Sequence, residues 1–150
     1  MCVCVCVLGG LSVLRENTNL GLHITAIKIC SDLCDGVGDL ACRLAEALHD
    51  TTTLKTFKLI NQPIGTEGAM AIANLLHNSK SLEKVKVSNC GLDCEKVCHL
   101  AQALCESTTL KKLNLSFNLI GTKGAMILAI LMHSNKSIEE VNVRNCNIER

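Results

Sequence analysis

Apolar positions along this chain fall into columns once it is written in lines with a period of 28. The first column holds Leu54, Leu82, Leu110 and Ile138, the second Phe57, Val85, Leu113 and Val141, and the third Leu59, Val87, Leu115 and Val143. After a gap come Ile64, Leu92, Ile120 and Ile148. The first part of each line, as in Leu110-Lys111-Lys112-Leu113-Asn114-Leu115, alternates toward period two and predicts a short strand. The second part, as in Ala69-Met70-Ala71-Ile72-Ala73-Asn74-Leu75-Leu76, carries apolar residues at helical spacing, with Gly65 and Gly68 punctuating its entry. Similar helices are predicted at about 39–49, 94–106 and 124–133. Strand then helix, repeated in one direction, predicts an α/β solenoid with a parallel sheet inside a curve and helices outside it.

The columns reproduce L-x-x-L-x-L-x-x-N/C-x-L, the leucine-rich-repeat pattern. Its Asn/Cys position reads Gln62, Cys90, Asn118, Cys146, alternating amide with cysteine. The lines after an amide are alike, Ile64-Gly65-Thr66-Glu67-Gly68-Ala69-Met70 answering to Ile120-Gly121-Thr122-Lys123-Gly124-Ala125-Met126, so the full unit is a pair of unlike lines. Upstream, Ile24, Ile27 and Ile29 read as the same strand, but Ile24 precedes Leu54 by two positions more than the period, which predicts a two-residue bulge near Asp35-Gly36. Residues 11–20 resemble the end of a repeat helix and the turn after it.

The expected organisation is one domain over 1–150: a partial repeat at 1–23, repeats at 24–53, 54–81, 82–109 and 110–137, and a truncated last repeat at 138–150. The period and the alternating Asn and Cys lines resemble the ribonuclease-inhibitor class of leucine-rich repeats, which also forms the C-terminal arrays of NLR proteins. The resemblance covers 24–150 well and 11–23 loosely. It implies a horseshoe segment of about four to five repeats, its sheet on the concave face and its helices on the convex face. It also implies a non-enzymatic module that binds another protein. Neither end carries the polar cap of a terminal repeat, so the chain reads as a fragment of a longer NLR-like protein or as a truncated gene product.

Composition narrows the function classes. Hydrophobic residues make up 48% of the chain, yet Trp and Tyr are absent and Phe occurs twice, so the core must be aliphatic. A net charge of +1, with no aromatics interleaved among basic residues, argues against nucleic acid and against an anionic membrane. No stretch approaches the roughly 20 apolar residues of a membrane span. The apolar start, Met1 to Leu8, lacks the basic flank and cleavage site of a signal peptide.

Eleven cysteines invite metal or disulfide readings. Cys90, Cys94 and Cys98 fall at i, i+4, i+8 beside His99, but no C-x-x-C pair occurs to build a tetrahedral site. The repeat offers a packing account instead. Cys90 and Cys146 take the inward Asn/Cys position, and Cys42, Cys98 and Cys105 fall on or near the inner helix face as small hydrophobes. Only Cys94 is left without a structural task. No metal is expected, and free thiols imply a reducing compartment, hence a cytoplasmic location.

No cofactor is expected either. Gly121-Thr122-Lys123-Gly124 is not a Walker A loop, and the sister line carries Glu67. His49, His77 and His133 recur where each helix ends, a place suited to helix carbonyls and dipole rather than to catalysis. No nucleophile with an oriented base can be placed, so no enzyme is expected. The glycosylation-like patterns at Asn114-Leu115-Ser116 and Asn135-Lys136-Ser137 read as chance.

Function is expected on the exposed face of the sheet. One column there reads Lys28, Lys58, Lys86, Asn114, Asn142, flanked by Ala26, Thr56, Lys84, Lys112, Glu140 and by Thr25, Lys55, Glu83, Lys111, Glu139. Two more read Cys30, Ile60, Ser88, Ser116, Arg144 and Ser31, Asn61, Asn89, Phe117, Asn145. The expected partner-binding residues are Lys28, Lys58 and Lys86, with Arg144, toward an acidic protein, and Ile60 and Phe117 as apolar anchors. Ribonuclease inhibition fits poorly, because this face is itself mostly basic. Ran-type GTPase-activating proteins resemble the same repeat class, but Arg15, Arg43, Arg144 and Arg150 form no loop cluster. A merely solvated face is the plain alternative.

Overall fold

The computed structural model describes residues 2–5, 26–30, 48 and 52–149. Six strands, β1 (Cys2–Val5), β2 (Ala26–Cys30), β3 (Thr56–Ile60), β4 (Lys84–Ser88), β5 (Lys112–Asn114) and β6 (Glu140–Asn142), lie in one sheet in chain order. Every neighbouring pair is parallel. Three helices, α1 (Thr66–Asn78), α2 (Cys94–Leu104) and α3 (Gly121–Ser134), return the chain from one strand to the next. The parallel α/β arrangement expected from the alternation is present.

The strands form because their period-two pattern can bury one face only. In β3, Phe57 and Leu59 are buried while Lys58 is exposed. Val85 and Val87 repeat this in β4, and Leu113 and Leu115 in and after β5. These columns join Ile72, Leu76, Val97, Leu100, Leu104, Leu128 and Leu131 from the helices in a single core that is aliphatic apart from Phe57. The described helices therefore cover one face of the sheet, and no described helix lies on the other. Beyond β6 no described residue adds a further line, and burial falls accordingly. Ile148 is 38% exposed where Ile64, Leu92 and Ile120 are 4%, 0% and 1%.

Register confirms the period. Phe57 pairs with Val85, Val85 with Leu113, and Leu113 with Val141, each step being one full line of the repeat. The β2–β3 step, Ile27 to Phe57, is longer by the two extra residues. Their expected place at Asp35-Gly36 lies outside the described residues, as does the helix end read at 11–20. Of the helix predicted over 39–49, Leu48 alone is described; it is helical and buried. One feature went unread: Cys2–Val5 is a strand, paired with β2 so that Cys2 stands opposite Ala26, a step four residues short of the period. Its alternating valines suit a strand, but the shorter step hides it from the repeat frame.

Strand length is set by one side chain. Asn114 Oδ1 accepts the Ser116 N–H at 3.0 Å, and Asn142 Oδ1 the Arg144 N–H at 3.0 Å. Such a local turn draws the N–H of the residue two ahead out of the strand ladder, so β5 and β6 span three residues each. The matching Lys58 and Lys86 cannot accept, and β3 and β4 run for five.

Candidate interaction surface

The loops that leave the strands are fixed from beneath by the Asn/Cys column. Asn118, 2% exposed, donates from Nδ2 to Val87 and Leu115 carbonyls, both at 2.8 Å, and accepts at Oδ1 from the Cys90 and Leu92 N–H groups at 2.9 and 3.1 Å. Cys90 Sγ donates to the Leu59 and Ser88 carbonyls at 3.5 and 3.2 Å, and Cys146 Sγ to Leu115 at 3.1 Å. Burial pushes the Cys90 thiol up to about 11. The inward cysteines thus serve as weak donors to backbone, as the repeat implied. Gln62 is buried too, and its Nε2 reaches the Asn61 carbonyl at 3.1 Å while its Oε1 has no partner among the described residues.

Cys105 corrects the packing account. It is exposed, standing at the C-cap of α2 one residue past the apolar stripe that ends at Leu104. Cys98 is half-buried, and Cys42 lies outside the described residues. Among the described residues no His, Cys, Asp or Glu group is placed to hold a metal ion. His77 and His133 stand in the last turns of α1 and α3; His49 lies outside the described residues. Asn135, read as a chance glycosylation match, caps α3: it is 5% exposed, donates to the Leu104 and Ser107 carbonyls, and accepts from Ser137 and Ile138.

On the rim above these loops, backbone geometry singles out one residue. Asn61, Asn89, Phe117 and Asn145, one from each line, all adopt left-handed backbone with φ of 57°, 53°, 60° and 55°. Asparagine tolerates this region, whereas a bulky side chain is strained there. Asn89 Nδ2 also donates to Asn61 Oδ1 at 3.1 Å, linking neighbouring lines. Phe117 breaks that run of amides and is 58% exposed. Leu119, two residues on, is 65% exposed and was missed from sequence, although its column of Pro63, Gly91, Leu119 and Asn147 holds no other residue of its kind.

The free sheet face carries the lysines. Lys28 opposes Lys58, and Lys58 opposes Lys86. Lys28 and Lys58 are exposed and Lys86 is half-buried. Beside them Lys84 stands between Thr56 and Lys112. Lys112 pairs with Glu140 at 2.8 Å, which raises the Lys112 ammonium and lowers the Glu140 carboxyl, and Lys55 pairs with Glu83 at 3.3 Å. Among the described residues Lys58, Lys84 and Lys86 have no carboxylate partner. Arg144 is exposed at the far edge, and Ile60 is half-buried.

One expected outward column is not all solvent-facing. Ser88 and Ser116 are 5% exposed, because the Ser88 hydroxyl reaches the Ser116 carbonyl and hydroxyl, both at 3.1 Å. Short side chains at this position fold onto neighbouring backbone, while Ile60 and Arg144 extend past it. The surface is therefore two parts: a lysine field over β2–β4 and an apolar rim at Phe117 and Leu119.

Residues 106–129 match the family described as Leucine Rich repeat. The parallel α/β fold is consistent with a leucine-rich-repeat type. A solved structure entitled "Leiomodin-1 Actin-Binding Site 2 (ABS2)" is similar to it with a TM-score of 0.72, at 23% identity, over 89% of this chain and 76% of that one. No curated protein matches the sequence. Leucine-rich repeats explain the inward columns and the amide-cysteine ladder.

Proposed function

We propose that this chain is a non-enzymatic protein-interaction module that binds an acidic partner across the helix-free face of its sheet. The observation that carries this reading is Phe117, a large exposed side chain held in left-handed backbone where its three counterparts are asparagine. Strain of this kind persists where it is put to use, and an exposed aromatic on the rim of a face that carries unpaired cations suits an interface anchor. Lys28, Lys58 and Lys86 would draw the acidic partner in, with Arg144 at the edge and Ile60 as a lesser apolar contact.

The finer reading takes the sheet as the concave face of a horseshoe segment of about four to five repeats, part of an NLR-like cytoplasmic protein. Its resemblance to ribonuclease-inhibitor-type repeats and its free thiols support that reading. Neither nucleic acid nor membrane suits a face with a single aromatic. Among the described residues no helix is long and apolar enough to cross a membrane. The leiomodin-1 segment is named as an actin-binding site, so actin belongs among the partners tried.

The test is affinity capture with the wild-type chain and with Phe117→Ala combined with Lys58→Glu. Proteins retained by the wild type, purified actin included as one probe, should be lost from the double variant while its circular dichroism is unchanged. Equal capture by both would remove the sheet face as the binding surface.

A further inference from the structure

Charge on the free face is arranged in two different ways. The column Lys55, Glu83, Lys111, Glu139 alternates in sign, and Lys55 and Glu83 pair. The columns beside it stack like charges, Lys58 opposite Lys86 and Lys84 opposite Lys112. A face kept merely soluble has no need to gather one sign where alternation is available next door. A shallow depression of about 160 Å³ opens here, bordered by Lys58, Lys84, Lys86 and Lys112, with Glu140 toward β6.

Glu140 neutralises Lys112, leaving three ammonium groups on two adjacent strands uncompensated among the described residues. Adjacent strands are about 4.8 Å apart and alternate residues along a strand about 6.6 Å, so the three stems root in a triangle that one small anion can span. Ammonium groups on flexible stems act as converging point charges. No guanidinium fork, which would favour a flat carboxylate, borders the depression. A phosphomonoester carries about −1.5 to −2 at neutral pH, against −1 for a carboxylate, and matches three cations better. The Lys112–Glu140 pair is net neutral, which leaves β3 and β4 as the cationic side of the depression. No exposed aromatic borders the depression, so a nucleobase would gain nothing by stacking there.

We propose that this depression binds a phosphorylated side chain, phosphoserine or phosphothreonine, borne by the protein partner. The inference rests on the interaction reading above and gives that partner a chemical mark. Lys28 continues the stripe on one side and would take a carboxylate neighbouring the phosphorylated residue.

The test is a titration of the isotope-labelled 150-residue chain at constant ionic strength, followed by amide chemical shifts. Three glycine-rich pentapeptides are compared, carrying phosphoserine, glutamate or serine at the centre. Phosphoserine should move β3 and β4 amides saturably, with affinity roughly tenfold above that of glutamate, from the doubled charge facing three cations. Lys84→Gln with Lys86→Gln should remove that preference, while Lys123→Gln on α3 should leave it intact. Equal affinity for phosphoserine and glutamate, or shifts that merely follow salt, would overturn the inference. So would co-sedimentation with anionic phospholipid vesicles that depends on the same lysines, since the phosphate would then belong to lipid. Partner capture that still depends on Phe117 without a phosphoserine preference removes this inference alone. A phosphoserine preference with capture indifferent to Phe117 and Lys58 removes the interaction reading instead.

Discussion

Asn118 reaches one line back in the chain, its Oδ1 accepting the Cys90 N–H at 2.9 Å across 28 residues of sequence. The same oxygen takes the Leu92 N–H, and the amide group donates to Val87 and Leu115. Asn118→Ala should therefore strand buried donors and acceptors in two lines at once and destabilise the fold by about 3 kcal/mol or more. Cys146→Ala, which removes weak thiol donation, should cost about 1–2 kcal/mol. Urea unfolding of the two variants checks the order, and equal losses would contradict the assignment.

Phe117 should show opposite effects on stability and binding. Phe117→Asn relieves left-handed strain and restores the residue found at the three equivalent positions, so stability should rise by about 1 kcal/mol. Partner capture should fall in the same variant. A denaturant midpoint that rises while capture weakens is the expected pair of results. A less stable variant would show that the aromatic ring packs instead of binding.

The two glycine-marked helix entries should respond with opposite signs. A Cβ on Gly124 would run into Ile120 Cγ2, a buried side chain with little room to move, and would also approach the Cys94 Cα. Gly124→Ala should thus lose about 1–3 kcal/mol to overpacking, despite the better helix propensity of alanine. Gly65 has open space around it and sits at an N-cap that lacks a side-chain hydrogen bond. Gly65→Ser should gain a few tenths of a kcal/mol by supplying one. Thermal melts of both variants decide the matter.

The thiols should react in an order set by burial. Among the five cysteines of described burial, Cys105, exposed, should be alkylated first at pH 8, and Cys90 and Cys146, buried, only after unfolding. Cys90 keeps its proton in the folded chain up to about 11, against 9.0 when unperturbed. Between those values the unfolded state binds fewer protons than the folded one, so stability should fall as pH rises through that window. Mass mapping of alkylated thiols and urea midpoints from pH 8 to 11 measure both effects.

Much of the architecture was legible in the sequence because register is periodic. A column that recurs with a fixed period must occupy equivalent places in successive turns of the chain, so the inward leucines, the parallel sheet and the two-residue insertion before β3 could be read directly. The strand at Cys2–Val5 could not, since its shorter step, Cys2 to Ala26, breaks the frame. Burial was legible wherever a column was uniformly apolar. It was not for Ser88 and Ser116, whose place depends on hydroxyls finding a neighbour's backbone 28 residues away.

The candidate surface divides along the same line. Sequence alone put Lys58 and Lys86 on the face opposite the inward columns, because alternation along a strand leaves them nowhere else to point, and it showed Phe117 to stand outside those columns. Sequence alone also fixed the amide-cysteine alternation of the inward ladder. Tertiary structure decided that Phe117 lies in left-handed backbone, that Leu119 stands out beside it, and that Lys58, Lys84 and Lys86 are left unpaired around one depression. The reason is physical. Periodicity specifies which way a side chain faces, whereas dihedral strain, ion pairing and the shape of a surface arise only where separate lines of the repeat are packed against one another.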